Sequence, residues 1–277
     1  MHVYIKYHLF PFHQEIIKNI SFKNTSNLLA FSGGTENDSL KLVDVTINSD
    51  YRNPSVLEKI EFSHLEQSRD IKKSINILRF SPNDKYLATA CDTLIIYSVQ
   101  NGVLQEYKNF RDHTLEITAL TWSPDSSKIA SSSLGNKIVI RNVQNEDAQI
   151  EKVLNLDIKV LSVIWDPFDK YLVCLGGDNN LVVWRTKNWE RLNTISLSFM
   201  PGKVNHTLKR EDRKIDWSPD YKFILTPSLD DKIVPVVCAI DRQDFSVKFT
   251  FMGPFSSINC IKFSPRLFEK GGKKIFK

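Results

Sequence analysis

Three observations in the sequence predict an all-β fold built from repeated four-stranded units. First, a tripeptide of an aromatic residue, Ser or Asp, and Pro recurs at Phe80-Ser81-Pro82, Trp122-Ser123-Pro124, Trp165-Asp166-Pro167, Trp217-Ser218-Pro219 and Phe263-Ser264-Pro265. Second, successive copies lie 42, 43, 52 and 46 residues apart, close to the roughly 40–45 residues of one four-stranded propeller blade. Third, the apolar runs between the copies are only two to five residues long, too short for a typical helix and right for a strand. Together they predict a β-propeller.

The elements follow in order. Ile20-Ser21-Phe22, Leu28-Leu29-Ala30-Phe31 and Leu40-Lys41-Leu42-Val43 form a weaker opening copy. Phe22 and Phe80 are 58 residues apart, so an insertion is expected, and the polar stretches Asn48 to Asn53 and Glu66 to Lys73 read as its extra loop. In each later unit Pro fixes φ and closes the first strand. The reversal then falls on Asn83-Asp84, Asp125-Ser126, Phe168-Asp169 and Asp220-Tyr221, residue types that suit turns. Second strands are expected at Tyr86-Leu87-Ala88, Ile129-Ala130, Tyr171-Leu172-Val173 and Phe223-Ile224-Leu225. Turns at Asp92, Asn136, Asp178 and Asp230 lead to third strands at Leu94 to Tyr97, Ile138 to Ile140, Leu181 to Trp184 and Val234 to Val237. The 52-residue interval places a further loop around Phe199 to Arg213. The chain is thus read as one domain, 1–277, with repeats at about 14–62, 72–110, 113–156, 157–198 and 212–252 and a sixth begun in 256–277. Each propeller blade packs on two neighbours, so five repeats and a start imply either a truncated propeller with open faces or one whose open end something else covers.

Composition narrows the function. A 42% hydrophobic and 25% charged sequence is ordinary for a globular protein. Of the net charge of +5, Arg266, Lys270, Lys273, Lys274 and Lys277 against Glu269 carry +4, so the rest of the chain is near neutral. Sequence-specific nucleic-acid binding is therefore not expected. Cys91, Cys174, Cys238 and Cys260 lie far apart in or beside apolar runs, as buried thiols of a reducing compartment do. The amino-terminal run is broken by Lys6, His8 and Pro11, unlike a signal peptide. No apolar stretch approaches the ~20 residues of a membrane span. A cytoplasmic or nuclear protein is expected.

Catalytic patterns are missing. Gly33-Gly34, Gly176-Gly177 and Gly271-Gly272 lack phosphate-loop spacing. There is no nucleophile elbow, and the six histidines form no His-x-x-x-His pair. His113 reads as a buried structural histidine before Ile117. Asp92, Asp178 and Asp230 recur once per repeat, as turn formers do. No catalytic residue, cofactor or metal is expected, and the protein reads as a non-enzyme. Candidate protein contacts are Arg111, Asp112, Asp157 and Lys159, which precede first strands at the narrow face where partners of propellers often bind, and Trp189, either an edge cap or a partner anchor. Solvated loops remain the alternative reading of the four charged residues.

The repeats resemble the WD-repeat family, whose Trp-Asp ending is degenerate here. Trp184 stands in the Trp position, while Tyr97 and Arg141 replace it elsewhere. That family's blades hold a tetrad of His, Ser or Thr, turn Asp and Trp, of which His113, Asp178 and Trp184 match parts. The repeat anchors are Trp122, Pro124, Trp165, Pro167, Asp178, Trp184, Trp217 and Pro219. Trp165-Asp166-Pro167 with Lys170-Tyr171-Leu172, then Val183-Trp184-Arg185-Thr186 and Trp189, are similar to the HIR/HIRA histone chaperones. So are Phe263 to Phe268 and the opening Gly33-Gly34 before Leu40 to Val45. The resemblance implies a seven-bladed propeller and a nuclear, non-enzymatic scaffold in replication-independent nucleosome assembly and transcription regulation. Its implied partners are other chaperone subunits and histones H3–H4. The middle WD-repeat subunit of the replication-coupled chromatin assembly factor is a close alternative, and a generic WD-repeat adaptor of a ubiquitin ligase or RNA-processing complex a further one. A hydrolase on a propeller is disfavoured by the missing acid–base pair.

Overall fold

A computed structural model describes residues 17–26, 28–33, 38–48, 59–71, 75–145, 147–197, 214–227, 236–252, 268–270 and 273–275. The chain divides into two compact units, Met1–Arg111 and Asp112–Lys277. All regular secondary structure among the described residues is β-strand. The first unit holds sheet I, β1 (Ile17–Phe22), β2 (Leu28–Gly33), β3 (Asp38–Asn48) and β4 (Lys59–Ile71), and sheet II, β5 (Ile77–Phe80), β6 (Tyr86–Ala90), β7 (Leu94–Gln100) and β8 (Val103–Phe110). In the second unit sheet III comprises β9 (Ile117–Trp122), β10 (Lys128–Ser133), β11 (Lys137–Asn142) and β12 (Ile150–Asn155). Sheet IV comprises β13 (Val160–Trp165), β14 (Tyr171–Gly176), β15 (Asn180–Arg185) and β16 (Glu190–Ser196). Sheet V comprises β17 (Asp216–Trp217), β18 (Phe223–Pro227), β19 (Val236–Asp241) and β20 (Val247–Met252). A hairpin of β21 (Phe268–Lys270) and β22 (Lys273–Ile275) completes the described strands. Each four-stranded sheet is an antiparallel meander in chain order, the blade of the all-β WD-repeat propeller fold class.

Two strand assignments differ from the sequence reading. Glu66 to Ile71, expected as loop, belongs to β4, which pairs with β3 along a long hairpin from Asp38↔Ile71 to Asn48↔Lys59. Polar side chains do not prevent pairing on an outer strand, whose backbone groups still need partners. In sheet V the third strand runs Val236–Asp241, and the pairing Ile224↔Ile240 matches Leu172↔Trp184 of sheet IV. Ile240, rather than Val237, therefore stands where sheet IV has Trp184. The expected loop at Phe199 to Arg213, the turn residue Asp230, Val234-Pro235 and the Phe263 tripeptide lie outside the described residues.

The recurrent tripeptide builds one turn four times. After the aromatic residue the backbone closes by N–H donation from Asp84 to the Ser81 carbonyl, Ser126 to Ser123, Asp169 to Asp166 and Tyr221 to Ser218. Each donor residue is left-handed, with φ of 60°, 62°, 56° and 59°. The Ser hydroxyl accepts the N–H at the start of the second strand, from Tyr86, Lys128 and Phe223. In the third copy the Asp166 carboxylate accepts instead from the Lys170 N–H, one residue before the second strand. Burial alone would raise the Asp125 carboxyl, yet the Ser123 and Ser127 hydroxyls and the Ser127 N–H hold it below the usual carboxylate range.

Continuous apolar runs arise because inner strands are covered on both faces. Along β14, Leu172 and Cys174 pack toward Ala130, Ile138 and Ile140 of sheet III, while Val173 and Leu175 pack toward Trp217, Ile224 and Ile240 of sheet V. A period-two alternation splits one apolar run between two cores. Burial of Cys174 pushes its thiol up, and burial of Cys238 pushes its thiol to about 11. In the first unit Leu28, Ala30, Leu40 and Leu42 of sheet I meet Leu78, Phe80, Leu87 and Tyr97 of sheet II. Polar ties reinforce these faces. The Phe80 N–H donates to Ser21 Oγ (3.1 Å) and the Trp165 N–H to Thr121 Oγ1 (3.1 Å), equivalent positions in two sheet pairs. In every sheet the ladder between third and fourth strands shifts register once, at Lys41/Val43, Ile96/Tyr97, Ile140/Arg141, Val183/Trp184 and Ala239/Ile240. A bulge at this point strengthens local twist.

Candidate protein-interaction surfaces

The meander gives each sheet two distinct ends. The loop entering the first strand and the turn between second and third strands share one end; the first–second and third–fourth turns share the other. Among the described residues no three His, Cys, Asp or Glu side chains converge. The entry-loop end of sheet III holds an ion pair beside a buried histidine, and the opposite end of sheets IV and V holds an ion pair beneath aromatic rings.

At the entry-loop end, Arg111 and Asp157 are exposed, and Asp112 and Lys159 are half-buried. Asp112 is held within sheet III. Arg141 Nε donates to its Oδ2 at 2.6 Å, Arg141 Nη2 donates to its Oδ1, and Lys137 Nζ donates to its carbonyl at 2.8 Å. A bidentate Arg–carboxylate pair is the strong form of this interaction. The residue that replaces the tetrad Trp thus ties down the entry loop by charge. His113 follows, only 7% exposed, with Nε2 at 2.9 Å from Ser131 Oγ. The His–Ser half of the tetrad is present, and the sequence reading missed Ser131. Asn136 occupies the turn Asp position of this unit, and among the described residues the buried His113 Nδ1 has no hydrogen-bond partner. Burial, helped by the nearby Lys137 charge, lowers the His113 pKa to about 4, so the ring is neutral at pH 7. Lys159 contributes its carbonyl to the Gly177 N–H. Asp178 accepts from the backbone and side chain of Asn180 at 3.1 and 2.7 Å.

At the opposite end of sheets IV and V, four turns form a continuous cluster. Asp166 lies in the first turn of sheet IV with 0% exposure. Arg242, from the last turn of sheet V, grips it with Nε to Oδ1 at 2.8 Å and Nη2 to Oδ2 at 2.9 Å. The guanidinium also lies 4.9 Å from the Phe168 ring centroid and 5.4 Å from that of Tyr171. Phe168 meets Tyr221 edge to face at 5.4 Å, and Tyr171 meets Phe245 at 5.2 Å. Phe168 is 57% and Tyr221 42% exposed. Trp189 sits beside this group. It is half-buried, set edge to face with Trp165 at 5.9 Å, with Nε1 donating to Glu151 at 3.3 Å. Trp122, Trp165, Trp184 and Trp217 are buried in the sheets, and Pro124, Pro167 and Pro219 are half-buried at the turns.

Sequence reading placed Phe168 and Tyr221 in turns without marking them as contacts, and it passed over Arg242. A signal existed: position 221 holds Tyr where the other units have Asp84, Ser126 and Asp169. Trp165 Nε1 donates to Asp169 at 2.6 Å, whereas the buried Nε1 of Trp217 has no partner among the described residues.

Comparison with known proteins follows the same repeat. The family model "WD domain, G-beta repeat" matches residues 64–97 and 104–142. Each match begins in a fourth strand, β4 or β8, and runs through three strands of the following sheet, so the sequence repeat is phased one strand ahead of the sheet. The chain is 28% identical over 220 residues to Protein HIRA of Caenorhabditis elegans, covering 72% of this chain and 23% of that protein. It is 28% identical over 215 residues to Protein HIR1 of Eremothecium gossypii, covering 71% and 26%. It is 24% identical to a Chromatin assembly factor 1 subunit FAS2 homolog of Oryza sativa subsp. japonica, covering 94% and 57%. The matched region is thus about a quarter of the length of the HIRA and HIR1 relatives.

Proposed function

We propose that the chain belongs with the WD-repeat proteins of the HIR/HIRA family and is a nuclear, non-enzymatic scaffold of a histone chaperone complex. In this reading it binds other chaperone subunits and serves replication-independent assembly of histones H3–H4 and transcription regulation. The observation that carries it is the 28% identity to Protein HIRA and Protein HIR1 across more than 70% of the chain. The architecture supports it. Rigid sheets hold loops at both ends, and affinity is drawn from several loops with no bond chemistry. Arg111, Asp157, Lys159 and Trp189 remain proposed contacts, while Asp112 contributes to contact only through the loop it positions.

A second reading rests on one observation: the match to the chromatin assembly factor subunit covers 94% of the chain and the larger share of its relative, 57%. The two separate in a reconstitution with purified components. The immobilised protein is expected to retain H3–H4 together with subunits of a replication-independent chaperone complex. Retention by the large subunit of the replication-coupled factor instead favours the second reading. Recovery of only ubiquitin-ligase or RNA-processing components, with no histone and no chaperone subunit, refutes both.

A further inference from the structure

We propose that the turn face of sheets IV and V is a docking surface for an extended acidic peptide segment of a partner protein, one that lays an apolar side chain on the Phe168–Tyr221 ring pair. The inference is independent of the chromatin reading, since it rests on what the four turns present.

The first support is exposure at the expense of local stability. Tyr221 holds a left-handed φ of 59°, a conformation that Asn and Asp tolerate better than a bulky aromatic residue. The equivalent residue in sheet IV, Asp169, accepts the indole N–H of Trp165; Tyr221 does not do so for Trp217, whose buried Nε1 has no partner among the described residues. An aromatic side chain thus occupies a position where a short polar one satisfies both backbone and core. A local sacrifice of this kind points to function. The ring is turned outward onto Phe168, and Arg242 backs Phe168 from within. Exposed rings buttressed by Arg are the composition of binding hot spots.

The second support is charge. Every carboxylate of these turns is hydrogen-bonded; four also have a cation, Asp166 with Arg242, Asp244 with Lys248, Asp220 with Lys222 at 3.7 Å and Glu190 with Arg185 at 3.9 Å, while Asp169 and Asp241 are held by the neutral donors Trp165 Nε1 and the Gln243 N–H. Lys170 and Lys187 are exposed, and no acid pairs with either ammonium among the described residues. The Thr186 N–H donates to the Lys170 carbonyl, which sets both lysine-bearing turns side by side. Two unclaimed cations on the sheet IV side of an apolar pair fit an apolar residue followed by carboxylates. Nucleic acid fits less well. Phe168 has its face against a guanidinium and its edge or face against Tyr221, which leaves no pair of open parallel faces for stacking successive bases.

The test uses the full chain and an array of short peptides rich in Asp and Glu with one central Leu, Ile or Phe. Matched arrays carry Ser at the centre, or Lys in place of the acids, and a short single-stranded oligonucleotide is included. The apolar-centred acidic peptides are expected to bind best. Phe168→Ser, Tyr221→Asn and Lys170→Glu are each expected to weaken that binding about tenfold, the effect of losing roughly 1.4 kcal/mol. Tyr221→Asn discriminates further, because it should weaken binding while raising the urea midpoint followed by Trp fluorescence. Binding that ignores all three substitutions, equal binding of Ser-centred peptides, preference for the basic array or the oligonucleotide, or no peptide binding overturns the proposal.

Discussion

Replacing Arg242 with Met tests whether sheets IV and V are clamped by charge. Met keeps an apolar contact with Phe168 and Tyr171 but removes both donors from Asp166, which has 0% exposure and would retain only the Lys170 N–H. Unit charges about 4 Å apart interact by roughly 4 kcal/mol at an effective dielectric constant near 20. Removing one member of a buried pair costs about 3–5 kcal/mol, because the remaining charge is uncompensated. Asp166→Ser should cost less, roughly 1–2 kcal/mol, because Ser81, Ser123 and Ser218 make the same turn in other units and the freed guanidinium, already 17% exposed, can reach water. The double variant should therefore be more stable than Arg242→Met alone by about 2 kcal/mol. All five tryptophans lie in the second unit, so their fluorescence during urea unfolding reports this unit alone. With m near 2 kcal/mol/M, Arg242→Met should lower the midpoint by about 1.5–2.5 M. A shift below about 0.5 M, or a double variant no more stable than Arg242→Met, would refute the clamp.

The remaining expectations concern the same unit. Because the His113 pKa falls to about 4 in the fold from an ordinary 6.5, only the unfolded state takes up a proton between those values. Its contribution is thus complete above pH 6.5 and lost as pH falls toward 4, by at most about 3 kcal/mol. His113→Asn should flatten that part of the pH–stability curve, and a curve of unchanged slope counts against the assignment. Tyr221→Asn should stabilise by about 1 kcal/mol, by relieving the left-handed aromatic residue and giving Trp217 Nε1 an acceptor; a lowered thermal midpoint contradicts this. Gly176→Ala should destabilise by about 1–3 kcal/mol, because a Cβ there overlaps the Ile158 side-chain tip and the Asp178 carboxylate that closes the turn. A near-neutral thermal midpoint would show that Ile158 gives way freely.

Where a local pattern repeats, the fold was legible. The tripeptide marked the turns at Asp84, Ser126, Asp169 and Tyr221 because one hydrogen-bonded geometry demands the same residue types each time. The pattern misled at Val234 to Val237, because Val236 and Val237 only open β19, which continues to Asp241, and the position of Trp184 falls three residues later, on Ile240. It also misled at Glu66 to Ile71, since an outer strand carries no apolar signature to betray pairing with β3. Arg141 shows a different limit. It was legible as the loss of a tetrad Trp, but its grip on Asp112 depends on a loop 29 residues away. Arg242 is harder still, as its partner Asp166 lies 76 residues earlier. Only superposing the repeats, with Tyr at 221 and Asp at 166 as the departures, brings that corner forward.

The two ends of the sheets put their charges to opposite uses, and this decides where a partner gains most. At the entry-loop end of sheet III, Arg141, Lys137 and Asp112 satisfy one another and His113 is neutral. A ligand there must compete with bonds already made, and displacing a bidentate ion pair forfeits what it gains. At the turn end of sheets IV and V the acids are the groups already claimed, while two lysines and two rings face solvent beside a guanidinium that cannot move without orphaning Asp166. Its ring pair is preorganised: the anchor is fixed, the apolar area is already exposed, and the rings have little side-chain freedom left to lose on binding. Rigidity of the Asp166–Arg242 clamp and affinity of the ring pair are therefore coupled. Arg242→Met should weaken peptide binding even though Arg242 presents no free charge to the peptide.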